Sequence, residues 1–311
     1  AGAKFYDQSS ADPFKCQLYV YDANHNFFNT EWVSDDLRQW NPATSSLTTL
    51  RSNINIMDKD DEKAILKTYG CAFFRTVLAG HGSRLAGHQM RKFMEGLEFP
   101  PGVKRFRDVH ISFERTGSTT VDDNEDLDIN RNALGKPNSK SGGLTADEYE
   151  FAKTSGAFNS TFYGNTRGMV TQSSSASGRF RWELSGPQDL TGREIRVRTA
   201  EVYDGSSVPA GATGFKLGLE DARSKMGFVD SDDVGGLPRP YDRRSDDIAT
   251  RGTDYTKTML KTLRFPVACI VARAEPGFDA TKVRAISLRM DRKDGRALAF
   301  DQLQIASGGR E

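Results

Sequence analysis

One histidine in this chain stands where a proton could be moved. His25 follows the apolar run Leu18-Tyr19-Val20-Tyr21 and the polar turn Asp22-Ala23-Asn24, and it precedes Asn26-Phe27-Phe28-Asn29-Thr30. A short run of β-branched and aromatic residues predicts a buried strand. In α/β proteins, ligands bind outside the carboxyl ends of such strands. Amides and aromatic bulk around the ring would fix a tautomer and hold its pKa near neutrality, as a general base requires. The plainer reading is a surface or core histidine with a structural role. The other three histidines read as non-catalytic. His81 and His88 fall in a Gly-rich, basic connector, and His110 alternates with Val109 and Ile111 in a predicted strand. None of them has metal-ligand spacing.

A histidine base needs a nucleophile and an acid. No Gly-x-Ser-x-Gly turn occurs in the sequence, and Gly80-His81-Gly82-Ser83 lacks its strand–turn–helix context. Asp7 is the one early acid that could orient His25, but Phe5-Tyr6-Asp7-Gln8 reads as the start of a helix.

Two further groups have chemical potential. Asp122, Asp123, Glu125 and Asp126, with Asp301 near the carboxyl end, could hold a structural Ca²⁺ through hard oxygen ligands. Equally they could form a solvated acidic turn, since the glycine and terminal glutamate of an EF-hand loop are missing. The segment Phe158-Asn159-Ser160-Thr161-Phe162-Tyr163-Gly164-Asn165 mixes aromatics with amides. If exposed it suits sugar rings; as core it is ordinary sandwich packing. Its Asn159-Ser160-Thr161 sequon has meaning only in a eukaryotic secretory pathway.

The elements that would position these residues fall into three stretches. Residues 1–80 hold the strand Lys15 to Tyr21 and a helix from Asp58 to Ala79. Asp58, Asp60 and Asp61 cap that helix, Ile65, Tyr69, Phe73 and Val77 form its stripe, and Gly80 ends it. Residues 81–117 read as a connector with a helical pattern at Gln89 to Leu97 and a strand at Val109 to Phe113. From 118 to 311, short alternating segments recur between Gly, Pro, Asp and Asn. Among them are Phe180 to Leu184, Ile195 to Arg198, Phe215 to Leu219, Lys261 to Val267, Val283 to Met290 and Leu298 to Ile305. This is the pattern of an antiparallel sandwich. The charged stretch Asp221 to Asp254 reads as a long surface loop.

Composition narrows the classes. Lys+Arg 43 against Asp+Glu 42 gives a net charge of +1, which argues against a dedicated nucleic-acid binder. No apolar run approaches the ~20 residues that span a bilayer. Cys16, Cys71 and Cys269 form no disulfide framework. Cys16 and Cys71 read as buried thiols, with a bond between them conceivable if strand and helix touch.

The run Ala23-Asn24-His25-Asn26-Phe27-Phe28-Asn29-Thr30, with Trp32 and Asp35-Asp36 behind it, resembles the histidine loop of bacterial α/β-hydrolases of the serine esterase and lipase type. In that family the order is nucleophile, acid, histidine. The resemblance implies that Lys15 to Tyr21 is the last strand of the hydrolase fold and Asp58 to Ala79 its last helix. It implies that His25 is the triad base. The serine and acid would then lie upstream or on a second chain, and the substrate would be an ester. It requires no cofactor. Residues 118–311 resemble the jelly-roll domains of carbohydrate-binding modules. The resemblance rests on Val121-Asp122-Asp123-Asn124-Glu125-Asp126, the strand after Pro187-Gln188-Asp189-Leu190-Thr191-Gly192, and the closing Ala299-Phe300-Asp301-Gln302-Leu303. Together they imply a mixed fold: the carboxyl-terminal part of an α/β-hydrolase plus an all-β jelly-roll sandwich, at an extracellular or cell-surface address. The competing expectation is a non-catalytic binding or surface-assembly protein in which the sandwich does the work.

Overall fold

The structure is a computed structural model. It describes residues 2–12, 14–23, 28, 30, 38–41, 46–49, 57–78, 91–96, 109–151, 166–203, 214–240, 258–290 and 296–308. The chain divides into two compact units. One comprises 1–15, 114–241 and 257–311; the other comprises 16–113 and 242–256.

The larger unit is an antiparallel jelly-roll sandwich. Its strands are β5 (Thr119–Asp122), β6 (Asn138–Ser141), β7 (Leu144–Glu150), β8 (Arg167–Ser173), β9 (Gly178–Gln188) and β10 (Arg193–Glu201). They continue as β11 (Lys216–Asp221), β12 (Met226–Asp230), β13 (Lys261–Pro266), β14 (Val283–Met290) and β15 (Leu298–Ser307). A six-stranded sheet runs β13-β10-β15-β8-β7 with β5 also on β15, and a five-stranded sheet runs β12-β11-β14-β9-β6. The first and last strands of the sandwich are thus neighbours, with Leu303 opposite Asp122.

Period-2 alternation drives this assembly, because each strand buries one face. Ile195, Val197, Leu263, Phe300 and Ile305 face inward from one sheet; Phe180, Trp182, Leu217, Ile286 and Leu288 face inward from the other. They form one shared core. On the outer face of the six-stranded sheet a second cluster gathers Phe151, Val170, Ala200, Val202, Leu260 and Ala299. The amino-terminal helix α1 (Gly2–Gln8) belongs to this unit.

The charged stretch expected as a loop from Asp221 to Asp254 is structured over its described part. Met226–Asp230 is an edge strand because Gly227 and Val229 turn inward while Met226 and Phe228 turn out. A 3-10 turn, Ser231–Val234, follows it, capped by the Asp230 side chain.

In the smaller unit, β1 (Phe14–Val20) pairs with β4 (Val109–Arg115), a later strand, in a two-stranded sheet; a separate hairpin joins β2 (Arg38–Asn41) and β3 (Ser46–Thr49). Helix α2 spans Lys59–Leu78 and starts with the Asp60 N–H on the Asp58 carboxylate at 2.8 Å.

Among the described residues there is no α/β-hydrolase sheet. The resemblance made β1 the last strand of a multi-stranded sheet, yet among the described residues it pairs with β4 in a two-stranded sheet. The stripe on α2 also differs. Glu62, Ile65, Tyr69 and Ala72 are buried, whereas Phe73 and Val77 are 40% and 50% exposed. Four residues advance a helix by about 400°, so a strict fourfold repeat drifts off the buried face, and alternating steps of three and four stay on it. Cys71 lies about 200° round the helix from Tyr69 and is exposed. Burial, and secondarily the charge of a Cys16 thiolate, pushes the Tyr69 hydroxyl up to about 12. All three cysteines are free thiols. Burial, with Glu95 nearby, pushes the Cys16 thiol far up, and its Sγ donates to the Met94 carbonyl at 3.2 Å. No described helix is long and apolar enough to cross a membrane.

Candidate functional site

The outer face of the five-stranded sheet is built by register. Because inward residues such as Leu217, Leu288 and Phe180 are directly opposite one another, so are their outward neighbours. One row across the sheet reads Ser141, Arg179, Arg289, Lys216, Asp230. The next reads Ser139, Arg181, Ser287, Gly218, Phe228. A Cβ at Gly218 would stand 2.3 Å from the Gly227 carbonyl oxygen and 2.4 Å from the Phe228 ring, so glycine lets that ring lie against the neighbouring strand. The Arg289 guanidinium lies 6.0 Å from the Phe228 ring centroid.

Charge on this face includes pairs that cross strands. Arg181 Nε donates to Glu220 Oε2 at 2.8 Å and its other end approaches Glu183 at 3.5 Å. Arg284 binds the second oxygen of Glu220. These guanidinium groups outweigh burial and hold the Glu220 carboxyl below its ordinary range. In the row of Arg179, Arg289 and Lys216, three cations occupy consecutive opposite positions, with Asp230 at the β12 end.

The opposite sheet carries charge of another kind. Arg198 is 1% exposed and its Nη1 donates to Asp301 at 3.1 Å and to Asp7 of α1 at 2.7 Å. Tyr6 places its ring 4.7 Å from both the Arg198 guanidinium and Lys15 Nζ. Farther along β10, Glu194 accepts both arms of Arg264 at 2.7–3.1 Å and also Arg196. Alternation reads Arg196 and Arg198 as solvent-facing; ion pairing buries them instead.

The acids expected to share calcium divide between two places. Asp122 is in the core, where its Oδ2 accepts from Trp182 Nε1 at 2.8 Å and Asn138 Nδ2 at 3.1 Å. Burial pushes its carboxyl up to about 6 against those hydrogen bonds. Glu148 is also buried, and burial together with the charges of Asp122 and Asp126 pushes it up to about 7. Asp301 instead meets Arg198 on the outer face, sharing the Thr166 hydroxyl (3.4 Å) with Glu125 (2.7 Å). Glu125 and Asp126 are exposed. Asp301 thus has a guanidinium as its cation, and Asp122 has three N–H donors, from Trp182, Asn138 and the Asn124 backbone. Among the described residues no three His, Cys, Asp or Glu side chains are placed to hold a metal. The set does not fit a shared Ca²⁺.

His25, His81, His88 and the segment 158–165 lie outside the described residues. His110 is on β4 with its ring edge-on to Tyr21 at 4.4 Å. Asp7 is a helix residue, and its carboxylate is held by Arg198. The platform around Phe228 had no signal of its own in composition. Its one legible trace is the in–out alternation of Met226-Gly227-Phe228-Val229.

No family model matches the chain, and no curated protein matches it. Among solved structures, the chain is similar to the family 11 carbohydrate-binding module of cellulosomal cellulase Lic26A-Cel5E of Clostridium thermocellum. That match has 10% identity and a TM-score of 0.36, covering 62% of this chain and 96% of that one. It is similar also to the family 30 module of cellulase Cel9D-Cel44B of the same organism, at 12% identity and TM-score 0.33, covering 47% and 77%. An exo-β-agarase matches at 11% identity and TM-score 0.36, covering 60% of this chain and 24% of that one. Scores at this level assign no family; the sandwich is established by its own strand order and register.

Proposed function

We propose that this chain is a non-catalytic binding or surface-assembly protein that holds an extended carbohydrate on the outer face of its five-stranded sheet. The observation that carries the reading is the Phe228 ring against Gly218 on this outer face, with the Arg289 guanidinium 6.0 Å from its centroid and Glu220 and Arg181 in the adjoining positions. An aromatic face packs on the apolar face of a sugar ring, while carboxylates, hydroxyls and guanidinium groups satisfy its hydroxyls. A sheet face offers such groups at a regular spacing of about 5 Å across strands, which suits a polymer more than a small molecule. The same reading carries an extracellular or cell-surface address.

The test is affinity electrophoresis of the whole chain through gels containing soluble polysaccharides, beside Phe228→Ala. Retardation of the wild type that Phe228→Ala loses, with unchanged thermal melting, supports the reading. No retardation by any polysaccharide overturns it.

The triad role of His25, with an upstream serine and acid acting on an ester, rests on the sequence resemblance alone and stands as a separate proposal. Fluorophosphonate labelling of the native preparation, read by intact mass, tests it. A labelled polypeptide that His25→Ala silences supports it, and no label in folded material overturns it.

A further inference from the structure

We propose that Lys261 is an acylation site, a lysine amine that takes an acyl group from an activated donor of the thioester class. Lys261 begins β13, the end strand of the six-stranded sheet, and its Nζ reaches the turn that follows β12, the end strand of the five-stranded sheet. There it donates to the Gly235 carbonyl at 2.9 Å and to the Gly236 carbonyl at 3.4 Å. Both glycines have left-handed backbone, with φ of 101° and 64°. A Cβ at Gly235 would lie 3.4 Å from Nζ, so the turn meets the amine with backbone alone. Lys261 thus clips the two end strands together across the edge of the sandwich.

Among the described residues no carboxylate pairs with this amine, whereas Lys15 has Glu114 at 3.0 Å. An ammonium desolvated without a counter-charge favours its neutral form, and burial lowers Lys261 from an ordinary 10.5 to about 8. The neutral amine is the nucleophile. Its two N–H bonds are those given to Gly235 and Gly236, so its lone pair points away from the turn. The residue is half-buried, which desolvates the amine without sealing it off. The lone pair attacks the thioester carbonyl carbon. A C–N bond forms, the C–S bond breaks, and the departing thiolate takes the amine proton, leaving an amide and a free thiol. The amide is uncharged, as a place without a counter-charge favours. An aldehyde would instead give a basic imine and restore a cation there. The amide keeps one N–H, so acylation takes one of the two hydrogen bonds from the clip.

The experiment incubates the full chain with acetyl coenzyme A at pH 7.5 and follows each lysine by peptide mass spectrometry, in buffer and in concentrated urea. The exposed Lys67 and Lys282 serve as internal standards. Expected in the folded chain is acetylation of Lys261 at least tenfold faster than of either standard. In urea the three should react at similar rates, because the advantage comes from the folded surroundings. Lys261→Arg keeps a cation and its N–H donors but has no acylable amine, so it should lose one fast adduct and no other. Acetylation of Lys261 no faster than Lys282 in the folded chain would overturn the proposal. So would an equal advantage for Lys261 in urea, or a fast adduct that persists in Lys261→Arg.

Discussion

Asp122 on β5 and Trp182 on β9 join the two sheets by one hydrogen bond, indole Nε1 to Oδ2 at 2.8 Å, inside the core. Trp182 is 1% exposed and its ring meets Phe180 at 4.8 Å, tilted by 59°, so its ring is held by packing and its N–H by the carboxyl. Trp182→Phe keeps most of the ring and leaves one carboxylate oxygen short of a donor. Unfolding by urea should show a loss of about 1–2 kcal/mol, with the slope unchanged. A variant as stable as the parent would mean that Asn138 and the Asn124 N–H suffice for Asp122.

Glu148 gives the sandwich a pH dependence. Its carboxyl is raised from an ordinary 4.5 to about 7, first by burial and then by Asp122 and Asp126. A group raised on folding contributes stability that is complete below its unfolded pKa and is lost as pH rises through the folded one. Stability should therefore fall between about pH 4.5 and 7. Glu148→Gln removes the charge, so it should leave stability at pH 4.5 nearly unchanged and raise it by about 1–2 kcal/mol at pH 8. Urea midpoints across pH 4.5–8 for both proteins check this; parallel profiles would refute it.

Glu194 is the hinge of a buried charge cluster, 3% exposed and bound by Arg264 and Arg196. Arg196 and Arg264 are directly opposite each other on β10 and β13, and the diagonal carboxylate of Glu194 offsets their repulsion. Glu194→Gln removes the carboxylate charge that both guanidinium groups meet. The expected cost is about 3–5 kcal/mol, measured by chemical unfolding at pH 7. A loss under about 1 kcal/mol would mean that water already reaches the pair.

The sandwich was legible because its strands bury one face each. Val283 to Met290 and Leu298 to Ile305 alternate in the sequence, and those alternations became β14 and β15. What alternation conveys is a direction, not an environment. It marks Arg196 and Arg198 as outward-facing, which they are, but cannot tell that partners on β13, β15 and α1 close over them. The acidic run from Asp122 to Asp126 misled for a related reason. Its members are neighbours in sequence, yet Asp122 turns into the core while Glu125 and Asp126 stay exposed. The hydrolase reading joined β1 to a sheet through sequence order, and register joined it to β4 instead. Charge rows such as Arg179, Arg289 and Lys216 come from three separate strands, so no local pattern announces them.

Helix α1 depends on a long-range contact. Seven residues are too few to hold a helix in water by themselves. What fixes it is Tyr6, 4% exposed against Arg198, and Asp7, whose carboxylate meets the same guanidinium 191 positions later in the chain. Asp7→Ala removes one of the two carboxylates on Arg198 and leaves Asp301 as the other. Global stability should then fall by about 1–3 kcal/mol, less than for an ion left with no partner. The larger effect should be local: amide hydrogens of residues 3–8 should exchange at least tenfold faster, while β10 and β15 keep their protection. Hydrogen exchange read by mass spectrometry measures both at once. Unchanged exchange in α1 would show that Tyr6 packing alone anchors the helix. Equal acceleration in β10 would show that helix and sheet open as one unit.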